Sequence, residues 1–524
     1  MATVAEQQPA SRSERFFGNV LWNWLGVAVN FFIIAVLSPY IVRKLGDDSY
    51  GIWMLVLSLI DYYWLLDLGF RSATLKFCAQ YRATGEPEKI NEILNTALFY
   101  GAMAGLAFLC ITMLASSRIV GFFQIAPANR SVFSALVTIV GAGWALGIVF
   151  NMFGACLEGF QRFDIVSRIW IATNAVRAVG CVVLLAKGYG LIAMAVMVVA
   201  SQVLGYILSY LGVRRVFAEW RFSPLLMKLS VMRELIGYGV HTLVATVADR
   251  FLGQSAPLLI GHFQPPAFVG YFTLPNRLMQ YSCDLVMRLA MVTISNTSEL
   301  AAKGKMEAIS RLGVFANRYS LTIFGPIACA LLVYGREIIA VWIGPEFAAH
   351  SAPLLPVLAL GTGFAIAGQY NSGSILYGLG KHGGYARGLL AEAILNALLL
   401  FWIIPRQGIL GAAWVVSGLM ILNRGLLLPW LLCRWLKVGF LRYMASIYMR
   451  PLLTAAPVLL CADLLKRFVL PGRNLPELIA AAAVIGGMYL ILAFFICFGP
   501  DHRISIVRWV SVRLNLSAPK AGAY

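Results

Sequence analysis

The sequence predicts an all-α integral membrane protein of about 14 transmembrane helices: two six-helix repeats around a central cavity, plus two C-terminal helices. Three observations predict it. Of 524 residues, 60% are hydrophobic and only 12% charged, where soluble domains carry about 25% charged residues, and the mean hydropathy is +0.78. Apolar runs of about 20 residues, enough to cross a bilayer core, recur from end to end. Laid against itself with Gly85 on Gly304, a shift of 219 residues (304 − 85 = 219), the chain superposes its hydrophilic connectors and several identities, including Gly159 on Gly378 and Arg168 on Arg387.

Taken in order, residues 1–15 are polar and form a cytoplasmic N-terminus. The apolar run 16–42 exceeds the about 7–15 residues of a signal-peptide core and reads as an uncleaved first helix. With 50–70, 93–115, 131–157, 169–186 and 191–213 it completes a first six-helix repeat, 16–213. A basic cytoplasmic connector, 214–234, carries Arg214, Arg215, Arg221, Lys228 and Arg233. The second six-helix repeat, 235–435, holds spans 235–261, 268–292, 312–334, 353–379, 385–404 and 409–433. Two additional transmembrane helices, 443–465 and 476–498, occupy 436–498, and a basic cytoplasmic tail, 499–524, closes the chain. With both termini inside, connectors on that side carry most of the Lys and Arg, as the positive-inside rule requires. An even number of helices per unit gives both repeats the same orientation, and in transporters built this way a substrate site lies near mid-membrane at the repeat interface.

The net charge of +19 comes from short clusters between apolar runs. That pattern fits topology and contact with anionic membrane lipids and excludes a nucleic-acid partner. The nine cysteines lie mostly inside apolar runs without a CxxC pair, and the five histidines lack ligand spacing, so no metal site and no cofactor is expected.

Charges inside the spans carry the functional argument, because each costs about 2.5–3.5 kcal/mol at the centre of a lipid-facing helix. Asp249 and Arg250 interrupt one helix; Arg277, Asp284 and Arg288 return to nearly one direction on the next, at steps of seven and eleven. Arg250 is too deep to snorkel and is a cavity cation, with Arg277, Arg177 and Arg424 beside it as candidates. Asp61, Asp249, Asp284 and Glu392 are candidate ion-coupling carboxylates; a hydrogen bond to a neighbouring helix competes for Asp61 and a buried structural pair for Asp249, while Asp284 fits a charge ladder with Arg277 and Glu392 a polar face with Asn396. Arg288 and Arg318 lie near helix ends, where snorkelling accounts for them. Arginine rather than lysine is the basic residue within spans, and its planar fork suits phosphate oxygens.

The phrases LSPYIVRKLGDDSYGIWMLVLSLIDYYWLLDLGFRSATLKF (37–77), EPEKINEILNTAL (86–98) and LEGFQRFDIVSR (157–168) resemble the polysaccharide biosynthesis proteins, the Wzx-type O-antigen and exopolysaccharide flippases of the superfamily that also holds MATE exporters and the lipid II flippase. The resemblance covers most of the first two-thirds. It implies a MATE-like fold and a multi-pass flippase, not an enzyme, in the bacterial cytoplasmic (inner) membrane. Such a protein moves a polyprenyl-pyrophosphate-linked oligosaccharide to the outer leaflet by alternating access, with or without coupling to a proton or sodium gradient. A polysaccharide polymerase and chain-length machinery are the implied partners in lipopolysaccharide or exopolysaccharide assembly. Two other functions compete. A MATE-type ion-coupled exporter of small molecules would want an acidic cavity, and the arginines outnumber the acids here. A membrane-embedded polymerase or glycosyltransferase would want a large polar loop bearing catalytic carboxylates, for which no connector is long enough.

Overall fold

The computed structural model describes residues 37–61, 69–381, 383–500 and 502–504. Among them the chain is helical throughout, and eight helices are long and apolar enough to cross a membrane. A pair bent by 51°, Pro345–Ser351 and Leu354–Gly378, makes nine if counted as one span. The packing forms two compact units, Met1–Gly270 and Tyr271–Tyr524.

Unit 1 holds α1 (Asp47–Asp61), α2 (Phe70–Thr84), α3 (Pro87–Phe122), α4 (Arg130–Gly159), α5 (Phe163–Ala186), α6 (Leu191–Val216) and α7 (Leu229–Phe263). Helix α8 (Pro266–Ala302) crosses the division. Unit 2 continues with α9 (Met306–Trp342), α10 (Pro345–Ser351), α11 (Leu354–Gly368), α12 (Tyr370–Gly378), α13 (Gly383–Leu419), a π-helical stretch (Met420–Leu427), α14 (Leu428–Leu436), α15 (Phe440–Phe468) and α16 (Leu475–Ile496). Helix α13 is broken at Gly408 (φ 60°, ψ −149°), between the two spans read as 385–404 and 409–433. The division by packing is not the division by sequence repeat. Helix α7 begins the second repeat by sequence, yet packs on α1, α2 and α3.

The 219-residue repeat recurs as contacts. Gly85 ends α2 at φ 72°, with its N–H donating to Arg82 O and that of Glu86 to Tyr81 O. Gly304 ends α8 at φ 68°, with its N–H donating to Ala301 O and that of Lys305 to Leu300 O. Glycine suits both sites because a left-handed C-cap strains any residue with a Cβ. A Cβ on Gly159 would stand 2.6 Å from Leu75 O, and one on Gly378 would stand 2.9 Å from Ile294 O. Each pair is the other shifted by 219. Thr74 donates to Met152 Sδ and Thr293 to Asn371 Oδ1, at the same two repeat positions. Small residues that let helix backbones touch are the expected adhesive in hydrocarbon, where apolar side chains gain little from leaving lipid.

Between α6 and α7 the connector 217–228 lies along α3, held by two side-chain amides. Asn91 Nδ2 donates to Glu219 O (3.1 Å) and Asn91 Oδ1 accepts from Arg221 N (2.9 Å). One turn on, Asn95 does the same with Arg221 O and Ser223 N, both at 2.9 Å. The spacing matches because four helical residues rise about 6 Å and two extended residues about 6.6 Å. A core of Phe70, Leu94, Phe153 and Trp220 lies beside it. In unit 2, α15 and α16 pack on α9 around buried Tyr334, Ile485 and Tyr489.

The close approach predicts a measurable cost. Gly159→Ala should destabilise the protein by about 1–3 kcal/mol by overpacking, read as a lower melting temperature in detergent. Gly154→Ala, whose nearest neighbour is Asn151 Oδ1 at 3.9 Å, should melt like the parent; equal melting of all three would show that the α2–α4 contact is not limiting.

Candidate functional site

In unit 1 the site is built where α1 meets α7. Gln254, one turn after Arg250 on the same face of α7, donates from Nε2 to Asp61 Oδ2 at 2.7 Å. Arg250 Nη1 approaches the same oxygen at 4.0 Å, with the two side chains 32% and 36% exposed. This joins two residues predicted from sequence, Asp61 and Arg250, although they fall in different sequence repeats. On α5, Arg177 Nη2 donates to Asn174 Oδ1 at 2.5 Å, and Asn174 Nδ2 donates to Trp170 O. The side chain of Asp249 lies outside the described set.

In unit 2 the central feature is a buried ion pair. Arg424 Nε donates to Glu392 Oε1 at 2.8 Å and Oε2 at 3.1 Å, with side-chain exposures of 15% and 2%. The neighbouring Asn423 donates to Glu392 Oε2 at 2.6 Å. Arg424 Nη1 also reaches Gln369 Oε1 at 3.3 Å, and Gln369 Nε2 donates to Tyr385 Oη at 2.8 Å. Asn423 and Arg424 belong to the π-helical stretch, a local widening often found at functional sites, and both serve one carboxylate. Helix α11 comes close enough to support it because a Cβ on Gly368 would lie 2.3 Å from Arg424 O. From sequence, Glu392 and Arg424 are separate candidates; the structure makes them one charge-neutral group.

Asp284 Oδ1 accepts from Gln280 Nε2 at 3.2 Å, one turn earlier on α8, and Arg277 lies against the Tyr281 hydroxyl, also one turn away. The side chain of Arg288 is outside the described set. Arg318 corrects the snorkelling expectation. It is 6% exposed and its Nε donates to Ser446 O at 2.8 Å, because α15 covers that face of α9. A polar network that the sequence did not reveal lies close by, between α9, α12 and α15. Asn371 Nδ2 donates to Ser320 Oγ at 2.9 Å, and Asn317 Nδ2 donates to Ser372 Oγ (3.0 Å) and Tyr443 Oη (3.1 Å). Its one signal is a buried asparagine in each of two apolar helices. Among the described residues no group of His, Cys, Asp and Glu is arranged to hold a metal ion.

Comparison with known proteins bears on this arrangement. The family model described as "Polysaccharide biosynthesis protein" matches residues 16–294. A protein of Shigella flexneri named "Putative O-antigen transporter" is 20% identical over 425 residues, 80% of this chain and 98% of the relative. The membrane protein EpsK of Bacillus subtilis is 21% identical over 364 residues, 67% of this chain and 69% of its own. Among solved structures, the inward closed conformation of the lipid II flippase MurJ aligns with TM-score 0.69 at 14% identity, covering 90% of this chain and 98% of that one. An inward-facing MATE multidrug transporter aligns with TM-score 0.60 at 13% identity, covering 82% and 95%. These likenesses establish the fold: an all-α, MATE-like membrane architecture.

The buried pair predicts its own test. Glu392→Ala or Arg424→Ala alone should cost about 3–5 kcal/mol by leaving one buried charge uncompensated, seen as loss of monodisperse protein on size exclusion. The double variant Glu392→Leu, Arg424→Leu should recover most of the loss. If instead the two single losses simply add in the double variant, the residues do not act as a pair.

Proposed function

The chain belongs to the polysaccharide biosynthesis protein family, and from that premise we propose that it is a flippase. Its substrate on this reading is a polyprenyl-pyrophosphate-linked oligosaccharide, moved from the inner to the outer leaflet of a bacterial cytoplasmic membrane by alternating access, with a proton or sodium gradient as the drive. The Shigella flexneri relative is named for O-antigen transport and MurJ for flipping lipid II, and both support this choice of substrate class.

The observation that carries it is the contrast between two arginines. Arg424 is held by a two-oxygen contact to a carboxylate that is 2% exposed. Arg250 is 32% exposed and lies 4.0 Å from Asp61 Oδ2, an oxygen that also accepts from Gln254. A guanidinium with about a third of its side chain exposed is one that a pyrophosphate can reach, and its fork matches phosphate oxygens. Arg250 is the leading anion contact on this reading, with Arg277 and Arg177 as the further candidates that the sequence offers. Arg424 holds its part of the site in shape through Glu392. Asp61 is the leading coupling carboxylate, because it lies 4.0 Å from Arg250, so an anion drawn to Arg250 changes the charge beside it. Asp249 and Asp284 remain secondary candidates.

Two measurements test the reading. In cells dependent on this protein, Arg250→Ala and Arg277→Ala should lower surface polysaccharide about tenfold or more at unchanged membrane abundance, whereas Arg311→Ala, at an exposed site, should have no effect. Normal polysaccharide from both cavity variants, with altered sensitivity to cationic drugs, would favour the exporter reading instead. In proteoliposomes, Asp61→Asn should flip lipid-linked oligosaccharide at a rate that no longer responds to an imposed gradient; a full response would remove Asp61 from coupling.

A further inference from the structure

A groove of about 660 Å³ runs along unit 1 between α3, α4 and α6. Its lining extends from Leu146 to Phe153 on α4 and from Val203 to Tyr210 on α6, seven helical steps in each case, or about 10 Å. The lining side chains are aliphatic, aromatic or methionine. Phe99, Leu146 and Ile207 keep 49%, 40% and 51% of their surface exposed, so the groove opens sideways from the helices. One end is closed by Trp220, Phe222 and Met227 of the connector, which Asn91 and Asn95 pin in place.

The closed end is also the charged end. Arg214 follows Tyr210 by one turn on the same face of α6, and Arg221 sits between Trp220 and Phe222 with Lys228 further along. Phe222, Leu225 and Leu229 are 66%, 92% and 60% exposed among these basic residues, the mixture of an element lying at the water–hydrocarbon boundary. A sideways-opening apolar groove about 10 Å long, beneath a basic boundary segment, fits within a single leaflet, half of the about 30 Å core, and takes about two-thirds of one acyl chain's depth. A polyprenyl tail would leave most of its length outside.

We propose that this groove binds one acyl chain of an anionic phospholipid from the adjacent leaflet, with the lipid phosphate against Arg214 and Arg221. The guanidinium of Arg221 is shared with Glu88 at 2.8 Å, an exposed contact of the kind worth little by itself, so it can also serve a phosphate. Bound lipid would brace α3, α4 and α6 against the connector. The site is independent of the substrate reading, since it lies wholly in unit 1 and uses none of the residues assigned to transport.

Native mass spectrometry of the full chain, delipidated and then titrated with dioleoyl phosphatidylglycerol or dioleoyl phosphatidylcholine, tests it. The parent should retain phosphatidylglycerol about tenfold better than phosphatidylcholine, from two basic contacts at the headgroup. Ala102→Phe, at an exposed position in the groove, should lose both adducts while melting like the parent. Arg214→Gln with Arg221→Gln should keep both adducts and lose the preference. Parent-level adducts on Ala102→Phe, or no headgroup preference in the parent, would overturn the proposal. Displacement of phosphatidylglycerol by stoichiometric undecaprenyl phosphate would overturn it too, and would give the groove to a prenyl tail.

Discussion

Hydrocarbon offers no hydrogen-bond partner, so each polar group in these helices must find its partner within the protein, at a cost of several kcal/mol where it does not. Glu392, buried at 3% exposure, shows the constraint fully met: one carboxylate takes donors from Asn423 and Arg424, and Arg424 passes its remaining reach to Gln369 and then Tyr385. Asn91 and Asn95 solve the same problem for backbone, supplying both donor and acceptor to residues 219–223 of the connector, which form neither helix nor sheet. The two arginines differ in exposure: 15% of the Arg424 side chain is exposed, against 32% for Arg250, which lies 4.0 Å from Asp61.

Duplication explains what is shared between the repeats, and divergence explains what is not. The glycine-to-carbonyl approaches at Gly159 and Gly378, and the left-handed caps at Gly85 and Gly304, are the same backbone solution made twice. At Gly159 and Gly378 a Cβ would meet a carbonyl oxygen of the neighbouring helix, and at Gly85 and Gly304 the left-handed backbone favours glycine. Arg177 falls on Asn396 and Asp61 on Gln280 under the same shift, so the charges do not follow the repeat.

Much of this architecture is legible in the residues alone. Composition and run length identify a multi-pass helical membrane protein. The Gly85–Gly304 and Gly159–Gly378 matches locate positions whose role is purely geometric. Pairing is not legible, because periodicity gives a side chain's direction on its own helix and says nothing about the neighbouring helix. Asp61 and Arg250 are 189 positions apart (250 − 61 = 189) and in different repeats. Even Glu392 and Arg424 lie on either side of the break at Gly408. Arg318 misleads for the same reason: its depth fits snorkelling, but α15 covers it. The π-helical stretch at Met420–Leu427 leaves no mark in the residue pattern.

The position of α7 gives the Arg250 contact its meaning. By sequence this helix opens the second repeat; by packing it belongs with α1, α2 and α3. Arg250 thus meets a carboxylate from the first repeat, while its own repeat equivalent, Phe31, carries no charge. On the proposed function, an anionic headgroup and a coupling cation are linked through one contact. Pyrophosphate drawn to Arg250 offsets the positive charge beside Asp61 and so favours a proton or metal cation there. Two ligands of opposite charge therefore favour each other's binding without touching, and by linkage each must raise the affinity for the other equally. A tight pair such as Glu392–Arg424 could not serve this way, since separating it would leave two charges buried in hydrocarbon.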